Sequence, residues 1–144
     1  MYGAALNNYR RNSVTTLEDP QKIVKLLFEG AIKELGLVKT NFNEPKKRGK
    51  HLGKAIALIG ELQAGVNLEK GGEAAEFLYG LYGAIIRELS KVSGQEEDQE
   101  IIDRSIRYLT ELKRLWVEYV LNTGPSGNSQ NESPSEERLA SVSG

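Results

Sequence analysis

The stretch Asp19-Pro20-Gln21-Lys22-Ile23-Val24-Lys25-Leu26-Leu27-Phe28-Glu29-Gly30-Ala31-Ile32 opens with a helix start and runs on in helical spacing. The Asp19 carboxylate can accept from the unpaired N–H groups of a first helical turn. Proline loses nothing at the first helical position, where its missing N–H would have had no partner. From there Val24, Leu27, Phe28, Ala31, Leu35, Val38 and Phe42 recur at steps of three or four, predicting a helix over about 20–42. Ile23, Leu26 and Leu37 widen its apolar face, so it packs on more than one neighbour.

Working outward, the same periodicity returns three times. A second helix is predicted over about 45–68, opened by Pro45 and carried by Leu52, Ala55, Ile56, Ile59, Leu62 and Val66. A third, over about 73–92, follows the break at Gly71-Gly72 with Ala75, Leu78, Leu81, Tyr82, Ile85, Leu89 and Val92. The last, over about 96–121, carries Ile102, Ile106, Leu109, Leu112, Trp116 and Val120. Its first turn holds Glu96, Glu97 and Asp98, favourable against the positive end of a helix dipole. No segment alternates with period two. The connections are short, about two to five residues, which favours antiparallel neighbours. The predicted fold is all-α, an antiparallel up-and-down four-helix bundle over 20–121 with a short N-terminal arm over 1–19. Residues 122–144 are rich in Ser, Gly, Asn and Glu and cannot bury enough apolar area to order themselves, so a disordered tail is expected there.

The chain of 144 residues has 27% charged and 39% apolar residues, ordinary for a soluble domain with a real core. It contains no cysteine, which excludes disulfides and thiolate metal sites. A formal net charge of -1 gives no global field for nucleic acid or membrane. The opening Met1-Tyr2-Gly3-Ala4-Ala5-Leu6 lacks the basic and apolar regions of a secretory signal, and no run is long enough to span a bilayer. A soluble cytoplasmic protein is expected.

Catalytic chemistry finds little footing. A di-metal bundle needs Glu-x-x-His pairs on facing helices. The single histidine, His51, instead follows Lys47 and Arg48. Zinc sites built on several histidines and Ser-His-Asp triads fail on the same ground, and no phosphate-binding glycine loop follows a strand. His51 reads as a solvated or partly buried side chain, and an enzyme, a cofactor, a metal or a small-molecule substrate is not expected. The basic run Lys46-Lys47-Arg48-Gly49-Lys50-His51, with Lys54, reads as a solvated face. Its functional reading is a patch for an acidic partner or a phosphate backbone.

Glycine placement says more. Gly30, Gly36, Gly49, Gly53, Gly60, Gly65, Gly80 and Gly83 fall inside predicted helices, each costing roughly 1 kcal/mol relative to alanine. Either they let helices approach closely inside the bundle, or they lower ridges outside it so that another helix can lie in a groove. Surplus apolar residues support a groove: Phe77, Tyr79 and Ile86 flank the core stripe of the third helix, and Ala57 and Leu58 lie off that of the second. A contiguous patch of this kind marks a binding surface. An amphipathic helix would read it through anchors at i, i+3, i+4 and i+7.

Taken in order, several pieces resemble the bacterial flagellin export chaperone family FliS. They are Tyr9 followed by Val14-Thr15-Thr16, then Leu26-Leu27-Phe28-Glu29-Gly30-Ala31-Ile32, then Ile59-Gly60-Glu61-Leu62. Leu68-Glu69-Lys70-Gly71-Gly72-Glu73-Ala74-Ala75 leads into Leu78-Tyr79-Gly80-Leu81-Tyr82, and Trp116 completes the set. The likeness covers about residues 9–120. Two departures stand out: Leu17-Glu18-Asp19-Pro20 is one residue longer than the family's usual Ala-Ser-Pro, and Phe28 stands where a tyrosine is usual.

The resemblance implies a cytoplasmic, non-enzymatic chaperone that holds the amphipathic C-terminal segment of flagellin, prevents its premature polymerisation and passes it to the flagellar type III export apparatus. It makes Tyr9 and Val14 candidates for an arm covering the binding surface. Leu52, Ile56, Leu78, Tyr79, Tyr82 and Ile86 become candidates for the groove. The alternatives are a self-associating structural or regulatory bundle, and a nucleic-acid binder using the Lys46–Lys54 patch, whose affinity would fall steeply with salt.

Overall fold

The computed structural model describes residues 19–121. Helix α1, Pro20–Thr40, starts as its sequence dictates: Asp19 Oδ1 accepts from the amides of Gln21 at 3.0 Å and Lys22 at 3.4 Å. It stops at Thr40 because Asn41 turns back on it, its amide and its side-chain Nδ2 both donating to Leu37 O. Helix α2, Pro45–Ala64, begins at its proline. It ends before the expected residue 68. The Gly65 amide folds back onto the carbonyls of Glu61 and Leu62, and Asn67 is used instead to cap the next helix, accepting from the Lys70 amide at 3.0 Å.

Helix α3, Leu68–Leu89, starts a turn earlier than the expected residue 73. Gly72, at φ 60° and ψ -144°, breaks it at the Gly71-Gly72 step in a conformation that only glycine adopts without strain. Helix α4, Asp98–Trp116, starts two residues after the expected 96 and passes into a π-helical turn, Val117–Leu121. Asp98 is the reason for the late start. Its Oδ2 accepts from the amides of Ser93 (2.9 Å), Gly94 (3.2 Å) and Gln95 (3.0 Å), gathering the loop under the helix terminus. The connection over 90–97 is therefore longer than the two to five residues expected, and Val92 lies buried within it.

The helices alternate in direction around a square. α1 packs on α2 and α4, α2 on α3, and the α3–α4 seam is the thinnest of the four. Polar ties mark the antiparallel ends: Lys39 of α1 pairs with Asp103 of α4, and Trp116 Nε1 donates to Gln21 O at 3.0 Å. At the α2–α3 end, Arg48 donates to the carbonyls of Phe42 (2.7 Å) and Ser93 (3.2 Å). Its guanidinium lies against Gly94, whose φ of 102° and lack of a Cβ both make room for it. The described residues form an all-α four-helix bundle, as the periodicity predicts.

Leu35, Val38, Leu58, Ile59, Leu89, Ile102 and Leu109 are fully buried at its centre, where each such side chain contributes about 1.5–3 kcal/mol. Leu58 corrects the sequence reading: it sits in the core rather than off the stripe, because α2 is covered on both flanks, by α1 and α3. His51 is half-buried, its Nδ1 2.7 Å from Oε1 of the buried Glu34 on α1.

Candidate functional site

The outer side of the α2–α3 pair is where helical spacing gathers the apolar positions singled out in the sequence. Gln63 Nε2 donates to Tyr79 O at 3.2 Å, which sets the register of the two antiparallel helices and identifies the flanks that meet. Leu52 and Ile56 share the Gln63 flank of α2, and Ile86 shares the Tyr79 flank of α3. Counting back from Gln63, Ile56 comes level with Ile86, and Leu52 with the end of α3. Tyr79 is 41% exposed, while Leu52, Ile56 and Ile86 are half-buried along the edge of the core. Leu78 and Tyr82 belong to the layer beneath: both are buried, so they support this surface without forming it. Burial also pushes the Tyr82 phenol well above the usual tyrosine range. Tyr9 and Val14 lie outside the described residues.

The glycines shape this side. Among the described residues, an added Cβ at Gly49, Gly53 or Gly80 would meet nothing within 4 Å. Close helix packing within the bundle therefore does not explain these three, and the outward reading remains for them. Gly83 differs, since a Cβ there would lie 3.1 Å from Gln63 Nε2 and 3.4 Å from Arg87 Nη1. Gly30 and Gly60 are buried, in keeping with close packing. Lys46, Gly49, Gly53 and Ile56 form one outward row on α2, and Glu73, Glu76, Gly80, Gly83 and Arg87 form its counterpart on α3. Together they make a shallow trough with an apolar floor and rims that carry no side chain at their glycines.

The opposite flank of α3 carries a second group. Phe77 is 63% exposed, and Tyr108 on α4 is 45% exposed. The Glu88–Arg104 pair shows that their flanks face one another across the thin α3–α4 seam. Hydrogen bonding to Lys91, with the fields of Lys91 and Arg104, holds the Glu88 carboxyl below its ordinary value. Sequence reasoning left Tyr108 unremarked, although its place between the stripe positions Ile106 and Leu109 was a usable signal.

The basic run divides. Lys46, Lys50 and Lys54 are exposed, whereas Arg48 is half-buried and spent on the two loop carbonyls, with the Phe42 ring 5.6 Å from its guanidinium. Among the described residues no group of three or more His, Asp or Glu could hold a metal, and no helix is long and apolar enough to cross a membrane.

The family model described as flagellar protein FliS matches residues 2–123. The chain belongs to the FliS family. Its relatives include the flagellar secretion chaperone FliS of Campylobacter jejuni, 32% identical over 116 residues, covering 79% of this chain and 89% of that protein. FliS of Vibrio cholerae is 29% identical over 117 residues, covering 78% and 85%. FliS of Salmonella typhimurium is 31% identical over 100 residues, covering 67% and 73%. FliS proteins are flagellar secretion chaperones, not enzymes.

Proposed function

We propose that this chain binds the C-terminal amphipathic segment of flagellin in the cytoplasm, keeps it from polymerising prematurely and delivers it to the flagellar type III export apparatus. The segment lies as a helix in the α2–α3 trough, against Leu52, Ile56, Tyr79 and Ile86, with Leu78 and Tyr82 backing it from the core. Tyr9 and Val14 belong to an arm that covers the trough when flagellin is absent. One observation carries the reading: among the described residues, three intrahelical glycines, Gly49, Gly53 and Gly80, face open space beside a strip of incompletely buried apolar residues. The described helices gain nothing from glycine at those positions, whereas a segment laid over them gains close approach.

Charge placed in the trough tests this directly. Tyr79→Asp and Ile86→Asp should each weaken binding of the flagellin C-terminal segment about tenfold or more, as loss of a central apolar contact does. Far-UV circular dichroism should stay unchanged, because neither side chain is fully buried. Unaltered affinity in both variants sinks the site.

A further inference from the structure

The two outward rows that frame the trough do not carry their charges evenly. On α3 the row begins with Glu73 and Glu76, passes through Gly80 and Gly83, and ends with Arg87. On α2, antiparallel to it, the row begins with Lys46, and Lys50 stands one turn on at its outer edge, on the side away from α3. The start of α2 lies beside the end of α3, as the Arg48–Ser93 bond shows, so Lys46, Lys50 and Arg87 fall on one half of the trough. Glu73 and Glu76 fall at its other end. None of the five forms an ion pair among the described residues, and all are exposed. Of the neighbouring charges, Lys47 is tied to Glu44 and Lys91 to Glu88.

We propose that the trough is electrically polarised and sets the direction of its guest: an amphipathic helix lies in it with its carboxylate-bearing end beside Lys46, Lys50 and Arg87 and its cationic end beside Glu73 and Glu76. The proposal rests on the docking reading above and adds to it the polarity of the partner. The guest's own dipole points the same way. A helix C-terminus is its negative end, so the guest runs parallel to α3, with its C-terminus at the lysines. Apolar contacts supply most of the affinity and are nearly indifferent to direction, whereas charge at the rim distinguishes one orientation from the other. Each exposed pair changes affinity only a few-fold, and together they favour the correct direction about tenfold.

The test uses the full chain, isotopically labelled, and a synthetic amphipathic peptide with lysines in its first third, glutamates in its last third and a nitroxide at the glutamate end. Gly49 and Gly80 report on the two ends, about 20 Å apart along the trough by the helical rise. The nitroxide should broaden the Gly49 amide signal and spare Gly80. In the variant Lys46→Glu/Lys50→Glu/Arg87→Glu/Glu73→Lys/Glu76→Lys the same peptide should reverse and broaden Gly80 instead. If that variant loses helicity, the milder Lys46→Gln/Lys50→Gln pair serves, and broadening should become similar at both ends. Binding that broadens Gly49 alone in every variant overturns the polarity and leaves the docking site standing. Binding that broadens neither glycine places the guest elsewhere and overturns both.

Discussion

Replacing Gly49, Gly53 and Gly80 together by alanine should make the free protein more stable and a worse binder. Among the described residues nothing lies within 4 Å of a Cβ built at any of the three, so the new methyls meet no resistance from the helices of the bundle. All three positions lie inside α2 or α3 at negative φ, where alanine is the better helix former. Each exchange should contribute about 0.4–1 kcal/mol, chiefly by restricting the unfolded chain. Gly80 is on a different helix from the other two, and Gly49 and Gly53 are a turn apart without a shared neighbour, so the gains add to about 1–3 kcal/mol. For a domain of this size that raises the thermal midpoint by roughly 4–8 °C per kcal/mol.

In the complex the same methyls stand in the guest's path. Crowding of a packed surface costs about 1–3 kcal/mol, so affinity for the flagellin C-terminal segment should fall about tenfold or more. Urea denaturation followed by circular dichroism reads the first effect, and fluorescence anisotropy with a labelled segment reads the second. Gly36→Ala is the control: it too faces open space, but it lies on α1, away from the trough, and should stabilise without weakening binding. A triple variant that gains stability and binds as tightly as the wild type would refute the argument that these glycines exist for a guest. One that loses stability would refute the open space from which the magnitude was worked.

Two further outcomes follow from buried polar groups. Asp98→Ala leaves the amides of Ser93, Gly94 and Gln95 without their common acceptor at a site only 7% exposed. It should cost about 2–4 kcal/mol, read as a lower urea midpoint; an unchanged midpoint would show that the loop holds itself. Tyr82 gives a pH dependence. Its phenol stays neutral in the fold because burial raises its pKa, whereas an unfolded tyrosine ionises near pH 10. The unfolded state therefore releases the proton first, and this contribution to stability is whole below about pH 10 and lost as pH rises beyond it. Tyr82→Phe should flatten that decline in urea midpoints taken across the alkaline range, and parallel declines in the two proteins would exclude it.

The helices themselves were legible because their signals are local. Asp19-Pro20 and Pro45 start helices where capping chemistry says they should, and a stripe at steps of three and four survives in each segment. The ends were read less well, since they are settled by competition for backbone groups. Asn67 could have continued α2 or capped α3, and the chain uses it as a cap. Asp98 could have sat in an acidic first turn on any of several residues, and it starts the helix because three loop amides converge on it. Gly72 announced a break, yet its position inside α3 rather than before it depends on the Asn67 cap upstream.

Within the site, sequence alone picked out Tyr79 and Ile86 as apolar residues beyond what a core stripe needs, and it flagged the helical glycines as costly. It could not tell inward glycines from outward ones. That depends on what stands opposite each Cα, and only the packing of α2 against α3 shows Gly49, Gly53 and Gly80 facing open space while Gly60 is buried. For the same reason it placed Leu58 too near the surface. A helix stripe gives the direction in which a side chain points, and the number of neighbours that cover it is fixed by the other helices. His51 and Glu34 make the point in polar terms, being 17 residues apart in the chain and joined only because α1 and α2 pack side by side. Periodicity and caps are properties of neighbouring residues, so the sequence carried them unaided; depth, partnership and the open trough are properties of facing surfaces, and only the assembled bundle could decide them.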